Sequence, residues 1–463
     1  MDTIATAFFD HSEARRINTN AVISRALREQ HPTSALVTVS IPNCNLLDYA
    51  TGTGKASFWP LEQGKSDLLL TEYTPPPHRT EDGSIQDTAL FAKYGYRWDG
   101  CDFLLYLLEG RDGSASYPQL RFAYLLTPQR EKAEALVYAA GRWTSELHDE
   151  VWVFDSGYWQ KSAQLFASIR SASWDDVILD AKMKQDLIDD HMSFFHSKEQ
   201  YRKFKVPWKR GVIYYGPPGN GKTISIKAMM HALYSLKDPI PSLYVRSLSS
   251  AAGPEYAIKQ IFERARQTAP CYLIFEDLDS LVSDRVRSYF LNEVDGLKAN
   301  DGIFMVGSTN HLDQLDPGIA KRPSRFDRKY LFSDPNKEER IAYCHFWQRK
   351  LRDNKDVAFP DILCDAIAGI TDKFSFAFIQ EAFVAALLAI ARHRREDRVP
   401  CNDESYVSVG DSGSQREAFV EDLADDWVDV SAVVDLDKYI LWREIKKQIK
   451  SLRKEFDPDA SPP

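Results

Sequence analysis

The chain has 463 residues, 44% of them hydrophobic and 27% charged, a composition ordinary for a soluble globular protein of about three domains. Apolar runs such as FLLYLLEG at 103–110 fall far short of the ~18 residues that cross a bilayer, so we expect no transmembrane segment. The net charge of −9 is concentrated in residues 401–437, with eleven acidic residues and one arginine; the remainder is close to neutral and gives no sign of a nucleic-acid-binding surface.

The N-terminus and the cysteines predict an intracellular protein. Acidic residues stand among the four arginines of the first thirty positions, a mixture unlike that of a secretory signal or a transit peptide. The six cysteines are scattered without a CxxC pair, which favours a reducing compartment over a disulfide framework or a zinc site. We therefore expect a cytoplasmic protein, with the nucleus as the alternative.

Residues 1–170 are predicted to form a β-rich α+β domain that binds a client or partner. Strand-like stretches separated by turns occur at 35–41, 67–73, 102–110, 120–127 and 150–156, and a helix is predicted at 131–147. Six of the ten tryptophans lie before residue 175, which favours an aromatic core over an aromatic binding face.

One segment of this domain imitates a phosphate-binding loop. TGTGKAS at 51–57 has Tyr49 where the first glycine of the pattern belongs, and Ala56 follows its lysine. Without a hydroxyl for magnesium the pattern fails, so we interpret the segment as a turn.

Residues 172–334 are predicted to form an α/β domain with a parallel sheet and flanking helices. Apolar runs without period-two alternation, typical of strands covered on both faces, alternate with helical patterns. The predicted strands are RGVIYYG, SLYVRSL, CYLIFED and GIFMVGSTN, and the predicted helices lie at 181–195, from Lys222, at 255–267 and near 286–297.

The remaining segments are predicted to be helical or acidic. Residues 335–400 indicate a small helical lid, and residues 401–437 indicate a flexible acidic insertion. A basic amphipathic helix is predicted at 437–456, within a C-terminal segment of residues 438–463. Docking on the protein itself is favoured for this helix, and docking on a partner is the alternative.

The strongest chemical signal is GPPGNGKT at 216–223, which meets the phosphate-loop pattern in full and lies between a predicted strand and a predicted helix. Its glycines let backbone N–H groups surround phosphates, its lysine reaches the β- and γ-phosphates, and its threonine hydroxyl binds Mg²⁺. The residues predicted to bind the nucleotide are Gly216, Pro217, Pro218, Gly219, Asn220, Gly221, Lys222 and Thr223.

Carboxylates follow the predicted strand CYLIFED. In phosphate-loop folds a strand beside the loop strand supplies the acid for magnesium, and we expect this strand there, with Glu276 and Asp277 at its tip. Asp279 is interpreted as the cap of a helix that begins at Ser280.

Three polar side chains farther along complete the candidate site. Asn310 ends the strand GIFMVGSTN, where its amide can orient an attacking water. Arg322 and Arg325 lie three residues apart in RPSRFDR, and an arginine supplied to a neighbouring subunit stabilises charge on the γ-phosphate in the transition state. Each signal is weak alone and gains weight from the order in which the motifs occur.

This order, with a helical lid after it, resembles the AAA ATPase family over residues 172–400. The resemblance implies ATP and Mg²⁺ as ligands and hydrolysis in a self-assembled ring, a hexamer, in which each neighbour completes the site. It implies that Val177 and Ile178 border the adenine. Lys222 and Thr223 match the Walker A residues, and Glu276 and Asp277 match the Walker B pair. Asn310 matches the first sensor, and Arg322 and Arg325 match the arginine fingers.

Two departures from the family pattern refine these expectations. The acidic pair reads Glu-Asp rather than Asp-Glu, and in this it is similar to the branch that includes the mitochondrial translocase of the Rieske iron–sulfur protein, above all to its soluble fungal relatives. At the expected pore, SAAG at 250–253 has Ala251 in the place of an aromatic residue, and Tyr256 nearby is expected to pack in the core.

The leading hypothesis is an ATP-hydrolysing ring protein that remodels or moves a protein client. Its alternative is a nucleotide-binding scaffold with little turnover, and a small-molecule kinase is less favoured. Glu276 and Thr223 are predicted to contribute to the coordination shell of Mg²⁺. Asp277 is predicted to polarise the attacking water from about 1.5 Å farther back than a glutamate would.

Overall fold

A computed structural model of the chain describes residues 3–13, 18–61, 67–76, 79–80, 82–111, 119–296, 298–322, 325–354, 356–396 and 435–456. The chain divides into two compact units, Met1–His148 and Asp149–Pro463. The acidic insertion expected at 401–437 lies, as far as residue 434, outside the described residues.

The first unit is an antiparallel sheet with helices on both faces. Its elements in chain order are α1 (Thr3–Glu13), α2 (Thr19–Gln30), β1 (Ala35–Ser40), α3 (Leu46–Thr53), β2 (Ala56–Pro60), β3 (Leu68–Thr74), β4 (Ser84–Trp98), β5 (Cys101–Arg111), β6 (Gln119–Thr127) and α4 (Arg130–Ser145). Among the described residues the strand order is β1-β6-β5-β4-β2, with β3 paired to β4. The prediction of a β-rich N-terminal region is confirmed.

Strand β5 shows why the apolar runs of this unit lack polar alternation. Leu105 and Leu107 pack in a core that includes residues of α3 and α4. Tyr106 and Leu108 pack in a second core that includes residues of α1 and α2. Because successive side chains of a strand point to opposite faces, a strand covered on both faces needs apolar residues at every position.

Two smaller sequence predictions for the first unit have different outcomes. The phosphate-loop imitation at 51–57 is a helix end and a turn, in which Gly54 caps α3 in a left-handed conformation (φ 64°) before β2 begins. The tryptophans expected in the core are only partly buried, and Trp59 is exposed.

The second unit contains a larger sheet and a helical lid. Its strands are β7 (Val151–Asp155), β8 (Tyr158–Ser162), β9 (Lys209–Tyr215), β10 (Ser242–Val245), β11 (Cys271–Phe275), β12 (Ile303–Thr309) and β13 (Arg328–Leu331). Its helices are α5 (Ala163–Arg170), α6 (Ala181–His196), α7 (Lys198–Phe204), α8 (Lys222–Tyr234), α9 (Pro254–Thr268), α10 (Leu278–Leu281), α11 (Asp284–Asp295), α12 (Pro317–Ala320), α13 (Lys337–Lys350), α14 (Asp361–Ile370), α15 (Phe376–Glu396) and α16 (Ile440–Phe456).

The strand order of the larger sheet, within the described residues, is β13-β9-β12-β11-β10-β7-β8. All pairs are parallel except β7 with β8. The expectation that β11 lies directly beside the phosphate-loop strand β9 is therefore wrong, because β12 stands between them. The chain leaves β11, crosses back and adds β12 between β11 and β9. A local sequence pattern does not reveal such a strand order.

Strand β7 belongs to this sheet, although its sequence was assigned to the first domain. It runs parallel to β10, and the ladder continues past β10 where Arg246 N donates to Phe154 O at 3.0 Å. Ser247 Oγ donates to Asp155 Oδ1 at 2.9 Å. In the turn between β7 and β8, a Cβ on Gly157 would lie only 2.8 Å from Ser250 Oγ. The hairpin thus fastens the segment that follows β10.

The lid is a helical subdomain built from α13 to α16. Its core includes Ile379, Phe383 and Ile390 of α15 together with Leu441 and Ile445 of α16. The C-terminal basic helix therefore docks on its own chain, as favoured from the sequence. By length and composition alone, the described segment Phe376–His393 of α15 would also pass for a membrane span, but many of its apolar side chains are those of the lid core.

Candidate functional site

The phosphate loop connects β9 to α8 and depends on two of its glycines. Gly216 has φ 138°, and a Cβ there would lie 2.2 Å from the carbonyl oxygen of Phe332. Gly219 has φ 81°, and its Cβ would lie 2.6 Å from the Cβ of Ala377. Both positions need left-handed backbone and close approach, so only glycine fits. The helix that follows begins at Lys222 and directs its first N–H groups at the loop.

Lys222 is folded back onto the loop that carries it. Its Nζ donates to Gly216 O at 2.7 Å and to Pro217 O at 2.8 Å. Burial lowers the pKa of this ammonium, and the charges of Asp277 and Asp279 oppose that shift. Two carboxylates therefore lie within electrostatic reach of the lysine.

Asn220 links the loop to the lid. Its side chain is 1% exposed, its Nδ2 donates to Asp334 Oδ1 at 2.8 Å, and its Oδ1 accepts from Phe376 N at 3.4 Å. Beside it, Ala377 N donates to Gly219 O at 3.1 Å. The loop is thus hydrogen-bonded directly to the N-terminal end of α15, a link that the sequence did not predict.

Val177 and Ile178, expected to border the adenine, line a cleft of about 550 Å³ between the segment before α6 and helix α13 of the lid. His345 and Gln348 face them from α13. Lys184 Nζ donates to the carbonyl oxygens of Val177, at 3.0 Å, and Trp174. Lys184 thereby fixes the backbone of the segment that forms one wall of the cleft.

After β11, Asp279 does not have the helix-capping role that was expected from the sequence. Helix α10 begins at Leu278, its cap position is Asp277, and Asp279 lies within its first turn. Asp279 is therefore not a helix cap, and the expected capping role is wrong. Asp277 has left-handed backbone (φ 51°, ψ 55°), its N–H donates to Ser308 Oγ at 3.2 Å, and the residue is exposed.

Glu276, the first acid of the pair, is held by a residue that the sequence did not single out. The hydroxyl of Tyr244 donates to Glu276 Oε2 in a short hydrogen bond. The other oxygen, Oε1, is buried and has no hydrogen-bond partner among the described residues. Burial and the neighbouring carboxylate raise the pKa of the Tyr244 hydroxyl, which therefore stays a donor.

These oxygen donors fit a magnesium ion shared with a nucleotide. Thr223 and the free Oε1 of Glu276 supply hard oxygen atoms, the ligands that Mg²⁺ prefers. In the part of the chain that the structure describes, no group of three or more histidine, cysteine, aspartate or glutamate residues forms a metal cage. A site with few protein ligands is the type that Mg²⁺ occupies together with phosphates and waters.

Asn310 lies beside the phosphate loop. Strand β12 pairs with β9 up to Thr309 opposite Tyr215, so Asn310 follows β12 where Gly216 follows β9. Both residues line a cavity of about 840 Å³, together with Pro217. The sheet register thus brings Asn310 to the loop, whereas its sequence position alone gave a weak signal.

The two arginines of RPSRFDR occupy different environments. Arg325 is 7% exposed; its Nε and Nη2 donate to the two oxygens of Asp295 at 2.8 and 2.7 Å, and its Nη1 donates to Gly318 O at 2.6 Å. The hydrogen bond from Arg325 lowers the pKa of the Asp295 carboxyl. The Arg322 side chain is 58% exposed and approaches Asp295 at 3.4 Å. Arg322 is thus the more available of the two.

The segment expected at the pore exposes Ala251 and Ala252. Tyr256, expected in the core, is 45% exposed in the first turn of α9, so that expectation is wrong. The buried face of α9 is formed instead by Ala257, Ile258 and Ile261. The buried face of the helix thus begins at Ala257, one residue after Tyr256, and the tyrosine points to solvent.

Comparison with known proteins agrees with this geometry. Residues 212–334 match the ATPase family associated with various cellular activities (AAA). The chain is 29% identical over 267 residues to the peroxisomal ATPase PEX6 of Candida glabrata, an alignment that covers 52% of this chain and 25% of that protein. The match thus spans a quarter of the relative's length. The chain carries an AAA ATPase domain, and the expectation of an AAA-type α/β fold is confirmed.

Proposed function

We propose that the chain hydrolyses ATP with Mg²⁺ as one subunit of an oligomeric ring, a hexamer, and that hydrolysis remodels or moves a protein client. The observation that carries the proposal is the convergence of three motifs at one edge of the sheet. The phosphate loop follows β9, Asn310 follows β12, and Glu276 and Asp277 follow β11. Ligands of α/β sheets bind at the carboxyl ends of the strands.

The residues of the site have separate roles in this proposal. Lys222 leaves the two loop carbonyls and binds the β- and γ-phosphates, while Thr223 and Glu276 would hold Mg²⁺. Bound Mg²⁺ would neutralise charge on the phosphates. Asp277 polarises the attacking water and Asn310 orients it. Val177 and Ile178 contact the adenine.

A ring is supported by the exposure of Arg322, which is anchored near Asp295 rather than at the phosphate loop. An arginine supplied by a neighbour explains why this side chain is solvent-accessible in one chain. Hydrolysis then requires assembly, because the arginine stabilises charge that develops in the transition state.

The alternative function is a nucleotide-dependent scaffold with little turnover. One observation favours it: Arg325 is held in three hydrogen bonds inside its own subunit. If it does not leave Asp295, the site has a single arginine finger. The two functions differ in turnover, and both require nucleotide binding.

The client is proposed to bind the first unit. Tyr73 and Ile85 lie directly opposite each other on β3 and β4, and Leu69 lies on the same face four residues before Tyr73. All three are exposed. Exposed apolar side chains grouped on one face are typical of protein-binding surfaces.

The order Glu276-Asp277 supports a relationship to the branch that includes the translocase of the Rieske iron–sulfur protein. An intracellular location is also proposed. It is supported by the described cysteines, which are free thiols, and Cys44, Cys271, Cys344 and Cys364 are buried. Since the relative PEX6 is a peroxisomal ATPase, we would compare cytosolic, nuclear and peroxisomal fractions for this chain.

The test is an ATPase assay with Mg²⁺ over a range of protein concentrations, combined with sizing in ATP. We expect turnover per chain to rise with concentration, and Lys222→Ala to abolish ATP binding. Turnover independent of concentration would contradict the ring. Assembly in ATP without turnover would establish the scaffold instead.

A further inference from the structure

We propose that Tyr244 is a positioning residue for the magnesium site: its hydroxyl holds one oxygen of Glu276 and leaves the other directed to the magnesium shell. The inference rests on the proposed function and assigns a role to a residue outside the phosphate loop, the acidic pair, the sensor and the arginines.

The sheet register explains how the tyrosine reaches the carboxylate. Strands β10 and β11 are parallel, and Tyr244 lies opposite Ile274, two residues before Glu276. Because strand side chains alternate between faces, Ile274 and Glu276 share a face with Tyr244. That face packs against α8, since Ile274 and Tyr244 belong to the core that includes Ile226. Glu276 is thus on the side of the sheet that carries the helix of the phosphate loop.

The hydrogen bonds of Glu276 are asymmetric. Oε2 accepts from the Tyr244 hydroxyl, whereas Oε1 is buried and has no partner among the described residues. A buried carboxylate oxygen without a partner is destabilising, because the hydration it has lost is not replaced by a hydrogen bond. That cost is relieved when a cation or its water lies against Oε1. Tyr244 prevents the carboxylate from turning this oxygen away.

The same contact gives a reason for Glu rather than Asp at the first acidic position. An aspartate carboxylate would end one methylene earlier, about 1.5 Å nearer its backbone, and would lose contact with the tyrosine hydroxyl. Tyr244 and Glu276 therefore act as a unit. Hydrogen-bonded residues around metal ligands fix the ligand's orientation, and their loss commonly costs roughly ten-fold or more in metal affinity.

The test measures Mg²⁺ affinity without depending on hydrolysis. A fluorescent, non-hydrolysable ATP analogue (N-methylanthraniloyl-AMPPNP) is bound first in EDTA, and free Mg²⁺ is then raised by titration beyond the EDTA present. For Tyr244→Phe we expect unchanged affinity in EDTA and a roughly ten-fold higher Mg²⁺ concentration at half-effect. Glu276→Asp should give a similar shift, and the double variant should be little worse than either single variant, because the two residues form one unit.

Tyr214→Phe is the matched control. It also removes a buried tyrosine hydroxyl from this core, but that hydroxyl contacts His191 and not Glu276. We expect it to leave the Mg²⁺ titration unchanged. The inference is overturned if Tyr244→Phe titrates like the wild type, if Tyr214→Phe shifts as much, or if the wild type shows no Mg²⁺ effect on nucleotide binding. A wild type that shows the Mg²⁺ effect but no turnover would overturn the proposed hydrolysis and leave the role of Tyr244 standing.

Discussion

Asp295 accepts hydrogen bonds from Nε and Nη2 of Arg325 at 2.8 and 2.7 Å, a two-point contact inside one subunit. Such paired contacts are strong and fix the guanidinium in orientation as well as in place. Arg325 in turn contacts the backbone of Arg322, since Arg325 N donates to Arg322 O at 3.2 Å. Both arginines lie close to Asp295, but only the side chain of Arg322 is exposed to solvent.

We predict that Arg322→Ala and Arg325→Ala fail in different ways. Arg322→Ala should bind ATP, keep its melting temperature and lose roughly 10³-fold in turnover, the cost of removing an arginine finger. Arg325→Ala should also bind ATP and lose turnover, and in addition lose about 2 kcal/mol of stability, because Asp295 and Gly318 O lose charged donors.

Differential scanning calorimetry beside the ATPase assay separates these two effects. Asp295→Asn serves as the companion variant, and it should reproduce the stability loss of Arg325→Ala. Equal melting temperatures for both arginine variants would show that the contact with Asp295 contributes little.

The acidic pair gives a second prediction. Asp277→Asn should bind ATP with Mg²⁺ and retain it, with turnover lowered about 10²-fold or more by loss of the base. Glu276→Gln should mainly raise the Mg²⁺ concentration needed for turnover. Rapid filtration of bound radioactive ATP together with a Mg²⁺ titration distinguishes the two. An exchange of phenotypes between the variants would reverse the assigned roles.

A third prediction concerns the link between the phosphate loop and the lid. Asn220→Ala should remove the partners of Asp334 and of the Phe376 N–H, and so loosen α15 at its N-terminal end. We expect faster amide exchange at the start of α15 and several-fold weaker ATP binding. Asn292→Ala, which changes an exposed asparagine of α11, is the control and should alter neither. Unchanged exchange in Asn220→Ala would mean that the link has no effect on the lid.

A fourth prediction follows from His191, which is buried beneath the sheet. Its Nδ1 donates to Leu187 O at 2.7 Å, and its Nε2, the acceptor nitrogen, lies 3.2 and 3.3 Å from the hydroxyls of Tyr214 and Tyr272. Burial lowers its pKa to about 4 from the usual 6.5. The unfolded chain therefore binds a proton below pH 6.5 that the folded chain does not bind until about pH 4.

The stability supplied by a neutral His191 is therefore fully present above pH 6.5 and is lost as the pH falls toward 4, by about 3 kcal/mol in all. His191→Gln should make the unfolding midpoint in urea less dependent on pH within this window. His196→Gln, at the exposed end of the same helix, should keep the wild-type dependence. An identical slope for wild type and His191→Gln would contradict the prediction.

The sequence predicted the local elements of the second unit well because they obey local rules. The strand, loop and helix around GPPGNGKT follow from apolar runs, glycines and helical spacing that a short window contains. The same holds for β1, β3, β5 and β6 of the first unit, whereas β2 and the long strand β4 were not predicted. Patterns of this kind require no knowledge of distant contacts.

What the sequence did not predict depends on neighbours that are distant along the chain. The position of β12 between β9 and β11, the membership of β7 in the larger sheet and the contact of Tyr244 with Glu276 are all consequences of strand order and register. The environments of Arg325 and Tyr256 depend on which side of a turn or helix faces the interior. A one-residue difference in that rotation exchanges a buried side chain for an exposed one.

The hairpin of β7 and β8 lies where a force applied to the preceding chain would enter the sheet of the second unit. The chain enters this unit at Asp149 and joins the sheet at Val151, and β7 lies parallel to β10. A pull on the chain before Val151 therefore loads the ladder along the strands, where several hydrogen bonds must yield together. Because Ser247 is hydrogen-bonded to Asp155, and Ser250 lies so close to Gly157 that a Cβ there would clash, that load is passed on to the segment after β10, which carries the exposed Ala251 and Ala252.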